Sequence, residues 1–454
     1  MKKNKKKRVV LFSVLAALSA AVPAVFATPP ALPGLQRTQT ASFTPAASKL
    51  MRIWLINIGQ GDSILIELPP SLSTAMGNPA GDPVEILVDG GGRPKSDSDR
   101  ARIFLHKLRG ERPTVEYMVL THHDQDHIAG LTAVLLDPDI EVGRVYYNGL
   151  SAFRKGLTGF IPSNPGSGFV TGGKRVLGRF GSDGVLESPF VLADLPGLDQ
   201  AFHGPPPERK PRLITEFEAF AGAAIAKPVQ LFRRAQFGDD SPDSFDRRLT
   251  RNRTSTRPAL KVQTLWPRAE LLRYGGWGTT TNGNSVVFRL DYGDFSMLFT
   301  GDLNEQSGPG LVRHLADAGL EDRLDVDVLK APHHGSEHIA EEFIEHPRLK
   351  PVVSVASMGS EGFRLTGHKH PRDSTIRLLG GFDRFFSTYI HEREFRWDRL
   401  RKSQLAGFIE DTHVLIETDG TRFRVVEVER DSPLDIDAVT EVDPGDGTLW
   451  ISAK

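Results

Sequence analysis

The chain has 454 residues, 56 Lys or Arg against 57 Asp or Glu, and no cysteine. That length can bury a sizeable core, with room for roughly two to three domains, and near-neutral charge supplies no global field for nucleic acid or membrane. The missing cysteines exclude disulfides and thiolate ligands, so any metal must be held by histidine and carboxylate side chains.

The N-terminus is the first patterned element. MKKNKKKR carries six basic residues and runs into the apolar stretch VVLFSVLAALSAAVPAVFA, then TPP. A basic start, a short apolar run and small residues at Val25 and Ala27 predict a signal peptide over residues 1–27, and hence a secreted or periplasmic location. An uncleaved N-terminal anchor is the competing reading. Removing those six basic residues leaves 50 against 57 acidic ones, a net charge near −7, and no other segment is apolar enough to cross a bilayer. Residues 28–49, rich in Pro, Ala, Ser and Thr, predict a linker.

Ordered structure is expected from residue 50. MRIWLINIG predicts a strand, GQGD a turn, SILIELP a second strand, and EILVDGGG a third that ends at Asp89. DSDRARIFLHKLRG predicts a helix, VEYMVLTHH a buried strand, and IAGLTAVLLD the helix after it. Residues 141–270 are rich in Gly, Pro and Arg and weakly periodic; they predict a long insertion, with 13 Lys or Arg against 7 Asp or Glu between 205 and 268. Order resumes with SVVFRLDYGDFSMLFTGDL, two strands about a YGD turn, then strands in DVDVLKAPHHG and PVVSVASMG and a helix in DSTIRLLGGF. THVLIETDGTRFRVVEVE predicts a hairpin turning at Asp419–Gly420, in a C-terminal extension over 401–454. Strands with intervening helices on one core predict an α/β fold with layered sheets.

Four clusters follow apolar strands. THHDQDHIAG (121–130) places His122, Asp124, Asp126 and His127 in one tight loop, in a chain with only 14 histidines. Without a cation its carboxylates would repel each other; the alternative is a solvated loop in which Asp126 caps the helix. FTGDL places Asp302 at the end of a strand, a carboxylate that can bridge metals, although Gly-Asp pairs are more often turns. LKAPHHGS carries His333 and His334, and GHKHP carries His368 and His370, where a surface loop competes equally. GQGD (59–62) is expected to be a hairpin turn, Asp89 to position the first motif through the backbone, and Lys330 to cover the sheet.

In this order the clusters resemble the metallo-β-lactamase superfamily, and more narrowly the hydrolase domain of ComEC-type DNA-uptake proteins. The residues that carry the likeness are IGQGDSILIELP (58–69), ILVDGGG (86–92), THHDQDHIAG, NSVVFRL (284–290), LFTGDL (298–303), VLKAPHHGS (328–336) and GHKHP (367–371). The resemblance covers about 50–400 apart from 141–270. It implies an αββα sandwich with a metal centre at one edge of the sheets. It also implies His122, Asp124, Asp126, His127, Asp302 and His334 (or its neighbour His333) as metal-site residues, and His368 and His370 as a further ligand or substrate contact. The wider family has HxHxDH; here Asp124 replaces a nitrogen donor and His123 falls out of register. An oxygen donor there raises the case for Mn²⁺, with zinc, one ion or two, still favoured.

The function so implied is a secreted hydrolase in which a divalent metal activates water for attack on a carbonyl or phosphorus. Asp126 is the candidate to orient that water, and His334 or His370 to stabilise the developing anion or protonate the leaving group. The basic 205–268 stretch is a candidate for steering an anionic substrate, DNA among them. A phosphodiester substrate leads; an amidase, lactonase or β-lactamase-like hydrolase, or a non-catalytic binding protein on the same fold, are the alternatives.

Overall fold

Alternation along the strands decides the architecture, because successive side chains of a strand point to opposite faces. On β1 (Met51–Leu55), β2 (Ile64–Glu67), β3 (Glu85–Val88) and β4 (Thr114–Leu120), one set is Ile53, Leu55, Ile64, Ile66, Ile86, Val88, Tyr117 and Val119. These pack in a single layer with Phe288, Leu290, Met297, Phe299, Val328, Val353 and Val355 from the second half of the chain. The alternate set, Trp54, Leu65, Leu87, Met118 and Leu120, faces the other way, onto the helices Arg100–Arg109, Gln125–Leu136 and Glu216–Ala226. The second sheet divides likewise: Val287, Leu298 and Leu329 turn outward onto helices that contribute Leu311, Leu315, Phe343 and Ile376. Three apolar layers between four layers of elements give the expected α/β fold, an αββα sandwich.

The computed structural model describes residues 45–79, 82–92, 98–150, 170–171, 175–176, 181–186, 216–251, 258–358, 370–381, 384–391, 409–429 and 450–454. The proposed signal peptide 1–27, residues 28–44 of the expected linker, and His368 lie outside them. Among the described residues no helix is long and apolar enough to cross a membrane. The described residues fall within one compact unit.

After β5 (Glu141–Tyr147) and the short pair β6 (Val170–Thr171) and β7 (Arg175–Val176) come β8 (Leu231–Arg234) and β9 (Leu260–Trp266). The second sheet continues through β10 (Val287–Tyr292), β11 (Phe295–Phe299), β12 (Val328–Lys330), β13 (Val353–Ala356) and β14 (Phe385–Ser387). The chain closes with β15 (Tyr389–His391), β16 (Ile409–Thr418), β17 (Arg422–Glu429) and β18 (Ile451–Ser452). The first sheet runs β18-β17-β16-β1-β2-β3-β4-β5-β8, with β15 on β16, and the second runs β14-β13-β12-β11-β10-β9.

This order corrects two expectations about boundaries. The stretch 141–270 is not wholly an excursion, since β5 and β8 extend the first sheet in parallel from β4 and β9 pairs with β10 in the second. The C-terminal hairpin is no appendage either. It turns at Gly420 as expected, but β16 pairs directly with β1, Met51 opposite Thr418, so the hairpin supplies interior strands.

The strands β3, β4 and β5 are parallel, as are β11 to β14. Their C-terminal ends deliver Asp89, His122, Asp302 and the turn holding His334, the ends at which α/β sheets present their chemistry.

Candidate metal centre

Four elements carry the six expected metal-site residues, of which His127, Asp302 and His334 form, with Asp62, a group whose donor atoms all lie within 4.8 Å of one another. His122 follows β4, His127 lies on the first turn of the helix Gln125–Leu136, Asp302 follows β11, and His334 lies in the turn Pro332–Gly335 after β12. Asp302 Oδ2 is the hub: it is 3.3 Å from His127 Nε2, 3.4 Å from His334 Nε2 and 3.8 Å from His122 Nε2. Asp124 Oδ2 is 4.0 Å from His122 Nε2, and Asp126 Oδ2 is 4.0 Å from His334 Nε2.

The donor set fits a cation. The Nε2 atoms of His122, His127 and His334 and Oδ1 of Asp302 are buried and make no hydrogen bond. Buried polar atoms are almost always satisfied, so three unbonded imidazole nitrogens within 3.8 Å of Asp302 Oδ2 call for an occupant. Imidazole and carboxylate donors suit a divalent metal.

The opposite edge of each ring explains the orientation. His127 Nδ1 is 2.8 Å from Asp89 Oδ2. His334 Nδ1 lies 3.0 Å from the Ser357 carbonyl and 3.2 Å from Asp62 Oδ1. His122 Nδ1 lies 3.1 Å from Thr121 Oγ1 and 3.3 Å from Ser285 Oγ. Partners of this kind fix a ring and its tautomer, leaving Nε2 for the metal.

Charge tells the same story. Burial opposes charge on His334, yet Asp302 and Asp62 beside it raise it to about 10. Burial likewise opposes charge on His127, and Asp302 and Asp89 outweigh it. Asp302 is held well below the carboxylate range despite its burial, by His334, His127 and His333. His122 is pushed down by burial and by His127. Asp124 is pushed up to about 7 by burial and by Asp126, a shift tempered by its 29% side-chain exposure. Metal binding at such a site would be coupled to release of the protons held by His127 and His334.

Sequence reasoning missed part of this arrangement. Asp89 acts through its side chain, accepting from the Thr121 amide and hydroxyl as well as facing His127. GQGD is more than a turn: Gln60 Nε2 donates to Asp126 Oδ2 at 3.2 Å, and the Asp62 amide donates to the Asp126 carbonyl. Gly61 has φ +114°, and a Cβ there would meet the Asp126 carbonyl oxygen at 1.8 Å, so only glycine permits the approach. Asp62 also lies within ligand distance of His127, Asp302 and His334. Its Oδ2 pairs with Lys330 and its Oδ1 faces His334 Nδ1. The signal was present in the quoted motifs; the partners were not.

The neighbouring histidines divide. His123 is buried edge-on against Phe217, at 5.9 Å between ring centroids. His333, in a left-handed backbone conformation at φ +47°, puts Nε2 3.7 Å from Asp302 Oδ2. His370 is buried with its ring 5.7 Å from that of His333 and 6.5 Å from that of His334. Ser336 accepts from the His338 amide, a hydrogen bond within the loop. The basic 205–268 stretch is largely committed to the fold where it is described. Arg233 pairs with Asp239, Arg248 with Asp243, and Arg234 donates to the carbonyls of Asn148, Arg268 and Ala269.

No curated protein matches the chain. A divalent-metal site is supported by the buried His/Asp cluster and by one family match, which suggests a metal-dependent hydrolase. Residues 84–207, which include THHDQDHIAG, match the family model of the metallo-beta-lactamase superfamily, to which this part of the chain is therefore similar.

Proposed function

We propose that the chain is an exported metal-dependent hydrolase of phosphodiesters, in nucleic acid or in a phosphorylated envelope component. The observation that carries the metal is the convergence of three unpartnered imidazole nitrogens on Asp302. His122, Asp124, Asp126, His127, Asp302 and His334 would hold it. Zinc is the first choice, as one ion or two, with Mn²⁺ the alternative because half of these donors are carboxylates. A divalent cation there supplies Lewis acidity and an acidified water.

The chain's own residues would do the rest. Asp126 would orient an attacking water, a reading supported by its 20% side-chain exposure and by the Gln60 hydrogen bond to its Oδ2. Thr281 donates to Asp124 Oδ1 at 3.1 Å, and Asn282 and His333 stand beside it. A surround this polar suits a tetrahedral anion better than an apolar acyl group. His334 and His370 are the candidates to stabilise the developing anion or the leaving group. The ComEC-type motifs favour the diester, and the basic residues near 1–27 favour export.

The test is hydrolysis of bis-p-nitrophenyl phosphate, abolished by a chelator and by Asp126→Ala combined with His127→Ala. Turnover of nitrocefin or lactones without diester cleavage would move the protein to the carbon–heteroatom hydrolases. A folded chain with no metal and no turnover would make it a binding protein.

A further inference from the structure

Lys330 ends β12 with its side chain 1% exposed, against an Asp62 carboxylate that is 2% exposed. Its ammonium also donates to the Gly301 carbonyl at 3.3 Å, one residue before Asp302. The other face of the same carboxylate lies 3.2 Å from His334 Nδ1. Four groups thus stand in a row: Lys330, Asp62, His334 and Asp302.

A free carboxylate beside this centre would be expected to join a cation's coordination, since its oxygens lie within ligand reach of His127, Asp302 and His334. An unpaired charge at this depth would also be costly, and a cation next to it would relieve that cost. We propose that Lys330 and Asp62 are a positioning pair. Lys330 balances the buried Asp62 charge and reserves that carboxylate for the Nδ1 edge of His334, so that His334 Nε2 faces Asp302 and Asp62 stays out of the coordination. The assignment rests on the metal reading of the site and deepens it. It gives Lys330 a part in loading without touching the metal, by neutralising Asp62.

The experiment uses the full chain with Zn²⁺ and Co²⁺ as probes. Zn²⁺ affinity is read by competition with a chromophoric chelator, the Co²⁺ visible spectrum reports coordination, and circular dichroism reports folding. Lys330→Met should weaken Zn²⁺ binding by about 10–100-fold, the range typical of groups that orient ligands, and should alter the Co²⁺ spectrum as Asp62 enters. Lys330→Met combined with Asp62→Asn removes the unbalanced charge while keeping an acceptor for His334 Nδ1. It should return affinity to within a few-fold of wild type and restore the spectrum. If Lys330→Met alone does not fold, the double variant decides: wild-type affinity supports the pair, and weakened binding or failure to fold overturns it. Unchanged binding in Lys330→Met, or equal weakening in single and double variants, also overturns it. A wild-type chain that binds neither cation would sink the metal reading itself, an outcome separate from all of these.

Discussion

Asp89 and His127 meet at 2.8 Å, Oδ2 to Nδ1, deep beneath the candidate metal centre. The same carboxylate accepts from the Thr121 amide and hydroxyl, so it ties the end of β3 to the start of the metal loop. Asp89→Ala removes the group that orients His127. It should lower divalent-metal affinity by about 10–100-fold, measured by chelator competition. Affinity equal to wild type would show that His127 needs no such support.

Gly61 tests the approach of GQGD to the metal loop. A side chain there would strike the Asp126 carbonyl, and φ +114° is strained for any other residue. Gly61→Ala should cost of order 2–4 kcal/mol in stability, as backbone strain and displacement of packed groups do. Denaturant unfolding measures the loss, and metal titration of the folded fraction should show weakened loading through the displaced Asp126.

Between the sheets, Phe288 and Phe299 stack with ring centroids 4.4 Å apart and planes 8° from parallel. Phe288→Ala should cost about 3–5 kcal/mol, the usual loss for a buried aromatic ring. Metal stoichiometry of the folded protein should stay at the wild-type value, which separates the sandwich core from the site. Loss of metal at full stability would reverse that assignment.

A pH dependence follows from Asp246, far from the metal loop in sequence. Burial pushes its carboxyl up to about 6, against hydrogen bonds from Thr264 that favour the charged form. A folded value above the unfolded 3.8 means that the folded chain holds this proton more tightly. Its stabilising contribution is therefore complete below about pH 4 and lost as pH rises through 6. The shift corresponds to about 3 kcal/mol at most. Unfolding free energies of wild type and Asp246→Asn, compared from pH 4 to pH 7, should show wild type losing ground as pH rises; a constant difference would refute the shift.

Much of the sandwich was legible because strand alternation is local: Ile53 and Leu55 against Trp54, or Leu290 against Val287, read straight from the sequence. The dense loop at 121–130 was legible for the same reason. Less legible were groups joined only by folding. Asp62 and His334 are 272 positions apart, and nothing near either names the other. The place of β5 and β8 was hidden because parallel pairing to β4 is set by distant chain. In β5 the alternation is broken, with Gly143 and Arg144 both half-buried and Val145, Tyr146 and Tyr147 all buried, whereas β8 alternates but is only four residues long. Lys330 looked like sheet cover because a lysine at a strand end has no local signature of its ion pair.

Metal content is the most direct test of the account. Full-length protein, purified after exposure to Zn²⁺ and dialysed, is analysed by mass spectrometry beside Asp302→Ala combined with His334→Ala. The account predicts at least one tightly held divalent ion per wild-type chain and its loss from the folded double variant. Equal metal in both proteins, or none in the folded wild type, would contradict it.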